Sequence, residues 1–170
     1  MIKLLGAILL AGGAAFLGFS ATAQLERRVK ALRAILGALE SLERELTFRL
    51  TPMPELLEEL AKRAQPPVNA FFAHCLRGLD TLGENTLSDL WNEALEAEPM
   101  DLGAVDRQVL RELGGILGRY DGEGQREALS LARAQLGQCL TVAMEERMRL
   151  GRVYGALGLT AGALLVILLL

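Results

Sequence analysis

The chain has 170 residues, of which 51% are hydrophobic and 23% charged, and its formal net charge is -3 at pH 7. This length allows one modest domain with short appendages, and an acidic balance without a basic, aromatic-rich patch argues against a nucleic-acid partner. The two cysteines, Cys75 and Cys139, lie far apart without metal-like spacing, so we expect buried thiols in a reducing compartment rather than a disulfide framework.

The first residues are apolar, and no residue from Leu4 to Gln24 is charged. An apolar helix of about 20 residues rises about 30 Å, the thickness of a bilayer's hydrocarbon core, so residues 1–24 are predicted to form a transmembrane helix. Small residues at Ala21 and Ala23 leave open a signal peptide cleaved after Ala23, which would release an exported, soluble helical binding protein. Four basic residues follow and favour an uncleaved anchor: Arg27, Arg28, Lys30 and Arg33.

A stripe of apolar residues then recurs at alternating spacings of three and four, as on one face of a helix. We call this stripe the α1 seam; it consists of Leu25, Val29, Leu32, Leu36, Leu39, Leu42 and Leu46. The pattern predicts a helix of about eight turns that ends before Pro52. It can continue directly from the transmembrane segment as one rod.

Four shorter helices are predicted next. Thr51 is expected to cap the first of them, with Pro52 as its first residue and Arg63 near its end. The apolar face of this first helix consists of Leu56, Leu57 and Leu60. The second helix runs from about Val68 to Arg77, and its predicted inward residues are Phe71, Phe72 and Cys75.

The following helix begins at Thr86, whose hydroxyl can cap it together with the carboxylate of Asp89. Its predicted core side is Leu87, Leu90, Trp91, Ala94 and Leu95. The last short helix is expected at about Leu102 to Leu117, with an inward face of Val105, Val109, Leu110, Leu113 and Ile116. A turn from Gly118 to Gly124 separates it from a long final helix with core positions Leu129, Ala132, Leu136, Cys139 and Ala143.

From Val153 to Leu170 no residue is charged, which predicts a second transmembrane helix at residues 153–170. Basic residues flank the inner side of both predicted spans, including Arg147, Arg149 and Arg152 next to the second, so residues 25–152 are predicted to form a cytoplasmic domain. Short loops and two heptad-like helices favour an all-α, antiparallel helical bundle with long first and last helices.

Chemistry-bearing motifs are sparse. The glycine-rich segment from Gly114 to Gly124 lacks the Lys-Ser/Thr of a phosphate-binding loop. His74 and Cys75 are adjacent, and neighbouring residues of a helix point about 100° apart, so they are not predicted to form a nucleophilic pair. We therefore predict no catalytic, cofactor-binding or metal-binding residues and no small-molecule substrate. Trp91 is predicted to be a core residue.

Two sets of residues are candidates for contacts with other proteins. Acidic residues on the outer helix faces are either solvated surface or a docking face for a basic cytoplasmic partner; they are Glu55, Glu58, Glu59, Glu93 and Glu96. Small residues in the predicted spans allow close helix packing, either between the two spans or with other membrane subunits. They are Ala7, Ala11, Ala15, Gly155, Gly158 and Gly162.

Taken together, several stretches resemble the stage III sporulation protein AB family of endospore-forming bacteria. They include "RRVKALRAILGALESLERELTF", "TPMPELLEEL", "TLSDLWNEAL", "LRELGGILGRYDGEGQ" and both apolar ends. The resemblance implies a subunit of the membrane complex that links mother cell and forespore and supports late forespore gene expression. It also implies a location in the mother-cell membrane around the forespore.

The same resemblance extends to partners. The soluble part of that family is similar to the cytoplasmic helical domains of F-type platform proteins of type II secretion. This similarity implies a secretion-type ATPase as partner, the AA protein of the same system, together with other stage III sporulation membrane subunits. It supplies no catalytic residues.

Overall fold

The computed structural model describes residues 2–48, 51–79, 86–117 and 122–169, with side chains for residues 22–46, 51–79, 86–117, 123–154, 156 and 160. Within those ranges the chain forms six α-helices and no strand. They are α1 (Ile2–Phe48), α2 (Met53–Arg63), α3 (Val68–Gly78), α4 (Leu87–Ala97), α5 (Ala104–Ile116) and α6 (Gly122–Leu169). The prediction of an all-α fold with long first and last helices is confirmed for these residues.

The first long helix is continuous. Its 47 residues run from the uncharged N-terminal stretch into the α1 seam without interruption, as predicted, because no proline occurs before Pro52. In the described part of the chain, no helix has a stretch long and apolar enough to cross a membrane. Most side chains of the two predicted spans, residues 1–24 and 153–170, lie outside the described ones. Their assignment as transmembrane helices stays a prediction.

The described chain divides into two compact units. One consists of Met1–Arg27 and Val142–Leu170, and the other of Arg28–Thr141. In the first unit Arg147 of α6 lies 3.9 Å from Glu26 of α1, measured from Nη2 to Oε1. The second unit contains α2 to α5 together with the parts of α1 and α6 that pack beside them, and it holds nearly all the described buried side chains.

Between Val29 and Leu42 the α1 seam is largely buried in the second unit, but its inward face is rotated slightly from the predicted one. Val29, Leu32, Leu39 and Leu42 are buried as expected, whereas Leu36 is half-exposed. Ile35, next to Leu36, is buried in its place, and so are Ala31 and Ala38. A strict heptad drifts against the 3.6-residue period of a straight helix. The alternating spacing therefore predicts the buried stripe but misplaces its centre by one position.

Helices α2 to α5 pack in chain order, each against the next. The predicted cap of α2 is wrong, because the helix begins at Met53 and the hydroxyl of Thr51 donates to Oε2 of Glu45 at 3.0 Å. The predicted cap of α4 is confirmed. The amide of Asp89 donates to the Thr86 hydroxyl, and the amide of Thr86 donates to the Asp89 carboxylate at 2.9 Å.

An aromatic cluster forms the centre of this unit. Trp91 of α4 is buried, and its ring contacts Phe71 edge-on, with ring centroids 4.7 Å apart. Its Nε1 donates a hydrogen bond to the carbonyl of Leu110 at 2.8 Å, which satisfies the indole's single donor and joins α4 to α5. The prediction that Trp91 is a core residue is confirmed.

Helix α5 shows the clearest error of the sequence reading. Val105 was expected in the core, yet 63% of it is exposed, while the neighbouring carboxylate Asp106 is completely buried. The helix begins at Ala104 instead of Leu102, and Gly103 is its N-cap. The rest of the predicted inward face is buried at Val109, Leu110 and Leu113, with Ile116 half-buried.

Candidate functional site

The predicted acidic residues of α2 lie on its outer side. Glu55 and Glu58 are exposed, and Glu59 is half-exposed. Glu59 pairs with Arg63 at 2.8 Å, and Glu58 pairs with Lys62 one turn later. The hydrogen bond from Lys62 and its positive charge lower the pKa of Glu58. Two of the three carboxylates are therefore partly neutralised by cations of the same helix.

The acidic residues of α4 differ in this respect. Glu93 and Glu96 are exposed, and α4 contains no lysine or arginine. Glu93 lies 3.8 Å from Nε2 of His74 on α3, whose other ring nitrogen lies 3.3 Å from a carboxylate oxygen of Glu98. The structure thus places the two acidic sets on different helices, α2 and α4, which both pack against α3. No lysine or arginine of α4 itself offsets its acidic set, whereas Lys62 and Arg63 offset that of α2.

A surface groove of about 370 Å³ connects one of the predicted residues to α1. Glu59, Leu60 and Arg63 of α2 line one side, and Ser41, Arg44 and Glu45 of α1 line the other. The groove has both charged and apolar walls. Such a lining suits a protein segment better than a small apolar ligand.

The predicted small-residue contacts are Ala7, Ala11 and Ala15 on α1 and Gly155, Gly158 and Gly162 on α6. Their side chains lie outside the described ones. Beside them, three described arginines of α6 are exposed: Arg147, Arg149 and Arg152.

The sequence reading missed a polar cluster around one buried carboxylate, which we call the Asp106 cluster and define as Asp106 with the half-buried Arg28, Gly103 and Cys139. The Arg28 guanidinium donates twice to the Asp106 carboxylate, from Nε to Oδ2 at 2.8 Å and from Nη2 to Oδ1 at 3.0 Å. The Gly103 amide also donates to Oδ2, at 2.8 Å. The cluster therefore joins α1, the start of α5 and α6 within the second unit.

Electrostatics explains how this carboxylate can be buried. Burial acts to raise the pKa of Asp106, but the hydrogen bonds from Arg28 and Gly103, the Arg28 charge and the Cys139 thiol together lower it. For Cys139, burial raises the pKa, and the hydrogen bond to Asp106 and its negative charge raise it further. Asp106 is thus charged and Cys139 protonated at neutral pH. Gly103 has no side chain that could accept a hydrogen bond, so only the bond from its amide to Asp106 is present at this helix start, and the local sequence cannot reveal Arg28, 78 residues away in the chain.

The adjacent pair His74 and Cys75 lacks the features of a reactive site. Cys75 is buried, and burial raises its pKa to about 12, so its thiol stays protonated and weakly nucleophilic. His74 faces Glu98 instead. Among the residues that the structure describes, no group of three histidine, cysteine or acidic side chains is placed to hold a metal ion.

The described residues thus form six α-helices, of which the first and the last are long. Comparison with known proteins makes the assignment specific. The sequence model of the stage III sporulation protein AB family matches residues 3–170, and the chain belongs to this family. It is 28% identical over 172 residues to the stage III sporulation protein AB of Bacillus subtilis (strain 168), with all of both chains covered.

A solved structure is similar as well. It is titled stage III sporulation protein AB (SpoIIIAB), and it matches with a TM-score of 0.65 and 25% sequence identity over 72% of this chain and 98% of that one. The expected family resemblance is therefore confirmed. Membership supports a role in sporulation, and the family's name refers to no enzymatic reaction.

Proposed function

We propose that the protein is a non-enzymatic scaffold subunit of the sporulation membrane complex that links mother cell and forespore. Two terminal anchors hold an antiparallel helical domain in the mother-cell cytoplasm, where it docks a secretion-type ATPase and contacts other stage III sporulation membrane subunits. The observation that carries this proposal is the match of the family model to residues 3–170. In this proposal ATP hydrolysis is carried out by the partner ATPase.

The sequence supports anchoring at both ends. The stretches from Leu4 to Gln24 and from Val153 to Leu170 carry no charge, whereas arginines and lysines follow the first and precede the second. Basic flanks resist translocation and so favour a cytoplasmic location for the residues between the two stretches. The small residues of both stretches allow close contact with each other or with neighbouring membrane subunits.

The surface charges support a protein partner on the cytoplasmic side. Of the two acidic sets, we assign the docking contact to α4, because Glu93 and Glu96 are exposed and their helix has no basic residue. A basic patch of the ATPase would be attracted to this face, which increases the association rate and orients the encounter. The α2 set is the weaker candidate because Lys62 and Arg63 already pair with it.

The chemistry of the described residues supports a role without catalysis. Catalytic cysteines have a lowered pKa, whereas the pKa values of Cys75 and Cys139 are both raised. The charged groups of Arg28 and Asp106 are hydrogen-bonded to each other and so join α1 to α5.

Co-purification of the full-length protein with the ATPase from detergent-solubilised membranes tests the docking contact. We expect the double variant Glu93→Lys and Glu96→Lys to retain about one tenth or less of the bound ATPase, because charge reversal turns attraction into repulsion. The matched control is Glu112→Lys with Glu127→Lys, two exposed carboxylates on α5 and α6. Equal recovery with both variants, each shown to be helical by circular dichroism, would remove the α4 face as the docking surface.

A further inference from the structure

The link between α4 and α5 lies over the aromatic core. Residues 98–103 separate the two helices, and Met100, in the middle of this link, is completely buried. Met100 shares a small internal space with Phe71, Phe72 and Trp91. Next to it, Asp101 has a φ of 52°, a left-handed conformation that is uncommon for a residue with a side chain. The link is thus closed over apolar residues in a backbone conformation that is not its most favourable one.

The Asp106 cluster lies at the end of this link. Asp106 receives the Gly103 amide and both Arg28 donors, so one carboxylate fixes the last residue of the link, the first turn of α5 and the side of α1. The Cys139 thiol of α6 completes the set. By contrast, the middle of α5 is held by apolar burial at Leu110 and Leu113 and by the Trp91 hydrogen bond. The start of α5 is therefore held by polar contacts, to which Arg107 adds a hydrogen bond to the Leu95 carbonyl at 2.6 Å, and its middle mainly by apolar packing.

Polar and apolar contacts respond differently when one partner of the contact is removed. A buried ion pair gains little net stability over apolar packing, because desolvation offsets the attraction, and in some proteins its role is to fix one geometry. Removing one partner leaves the other charge buried and unpaired. We propose that the Asp106 cluster is a conformational latch that holds residues 98–106 closed over Met100, so that loss of the cluster releases this segment while the rest of the domain stays folded.

Hydrogen exchange followed by mass spectrometry on the full-length protein in detergent micelles tests the latch. In Asp106→Asn, the amides of Gly103 and Arg107, which donate to Oδ2 of Asp106 and to the Gly103 carbonyl, are expected to exchange at least tenfold faster, which corresponds to about 1.4 kcal/mol. The amides from Leu110 to Leu113 are expected to exchange at the wild-type rate. The matched control is Glu112→Gln, an exposed carboxylate of the same helix, which should change neither segment.

A second variant keeps the test decisive if Asp106→Asn does not fold. Arg28→Lys retains the positive charge but cannot make the two-pronged hydrogen bond, so we expect the same pattern with a smaller increase, about threefold. In the wild type, low urea should not accelerate exchange in the link, because local opening exposes little surface. Equal acceleration of both segments in the variants, or no acceleration in the link, would overturn the latch.

Discussion

At the residue scale, the close approach of α4 and α5 at Trp91 depends on a glycine. A Cβ placed on Gly114 would overlap the indole ring of Trp91, so only glycine allows the two helices to approach this closely. One residue on, a Cβ at Gly115 would have no other atom within 4 Å. The two adjacent glycines therefore have opposite roles: the first permits packing, and the second only adds backbone freedom to the helix.

This difference gives a matched pair of variants. Gly114→Ala should lower the free energy of unfolding by about 1–3 kcal/mol, because the added methyl group overpacks the Trp91 site. Gly115→Ala should raise it by about 0.5 kcal/mol, because alanine loses less backbone entropy in a helix. Urea denaturation followed by circular dichroism measures both. A neutral Gly114→Ala would show that the approach of α4 and α5 is not as close as described.

The Asp106 carboxylate predicts a pH dependence. Its pKa is lowered in the folded state, so its contribution to stability is fully present above its unfolded pKa of about 3.9 and is lost as the pH falls further. The difference in unfolding free energy between the wild type and Asp106→Asn should be constant from about pH 6 to 8 and shrink below about pH 4. A difference that does not change with pH would mean that charge is not what the cluster contributes.

Single residues also show the limits of reading the sequence. Burial of Trp91 and Cys75 could be predicted, because each lies on a periodic apolar face. Burial of Asp106 could not, because a carboxylate is expected at the surface unless its partner is known. That partner, Arg28, is 78 residues away in the chain and looks like one of several solvated arginines.

At the scale of the helices, the starts of α2 and α4 provide a comparison of two threonines. Thr86→Ala should cost about 1 kcal/mol of unfolding free energy, since its hydroxyl caps α4. Thr51→Ala should cost less than about 0.5 kcal/mol, since Thr51 caps no helix and only donates to Glu45. Thermal unfolding of both variants measures this order. A larger loss for Thr51→Ala would contradict the position at which α2 begins.

The buried face of α1 gives a second comparison. Leu32 is fully buried and Leu36 half-exposed, so Leu32→Asp should cost about 4 kcal/mol or more, by burying an unpaired charge. Leu36→Asp should cost about 1 kcal/mol, because its carboxylate can reach water. Denaturant unfolding distinguishes these values. Similar losses of unfolding free energy for both variants would mean that Leu36 faces the core, as the strict heptad predicts.

Helix number and type could be predicted because apolar periodicity, proline positions and the Thr86 cap all agree. The rotation of each helix about its own axis, which decides the inward residues, was harder to predict. A one-residue difference placed Val105 outside and Asp106 inside, and it exchanged Leu36 for Ile35. Neighbouring helices decide which of two adjacent positions faces inward, and the sequence does not state which helices are neighbours.

At the scale of the whole molecule, the family and the role in sporulation follow from the match over residues 3–170. Of the candidate site, the sequence located the acidic residues on outer helix faces. It also shows that α4 has no basic residue and that Lys62 and Arg63 stand four residues after Glu58 and Glu59. The side-chain geometry adds that both of these pairs form, which selects α4 as the proposed docking face.

The central claim is that the protein is held in the membrane by its uncharged first stretch. N-terminal sequencing and intact mass of the protein extracted from the membranes of sporulating cells test it most directly. Our account predicts a membrane-bound chain that still carries the residues before Gln24. A chain that begins at Gln24 and is recovered without detergent would contradict it and would support the exported, soluble alternative.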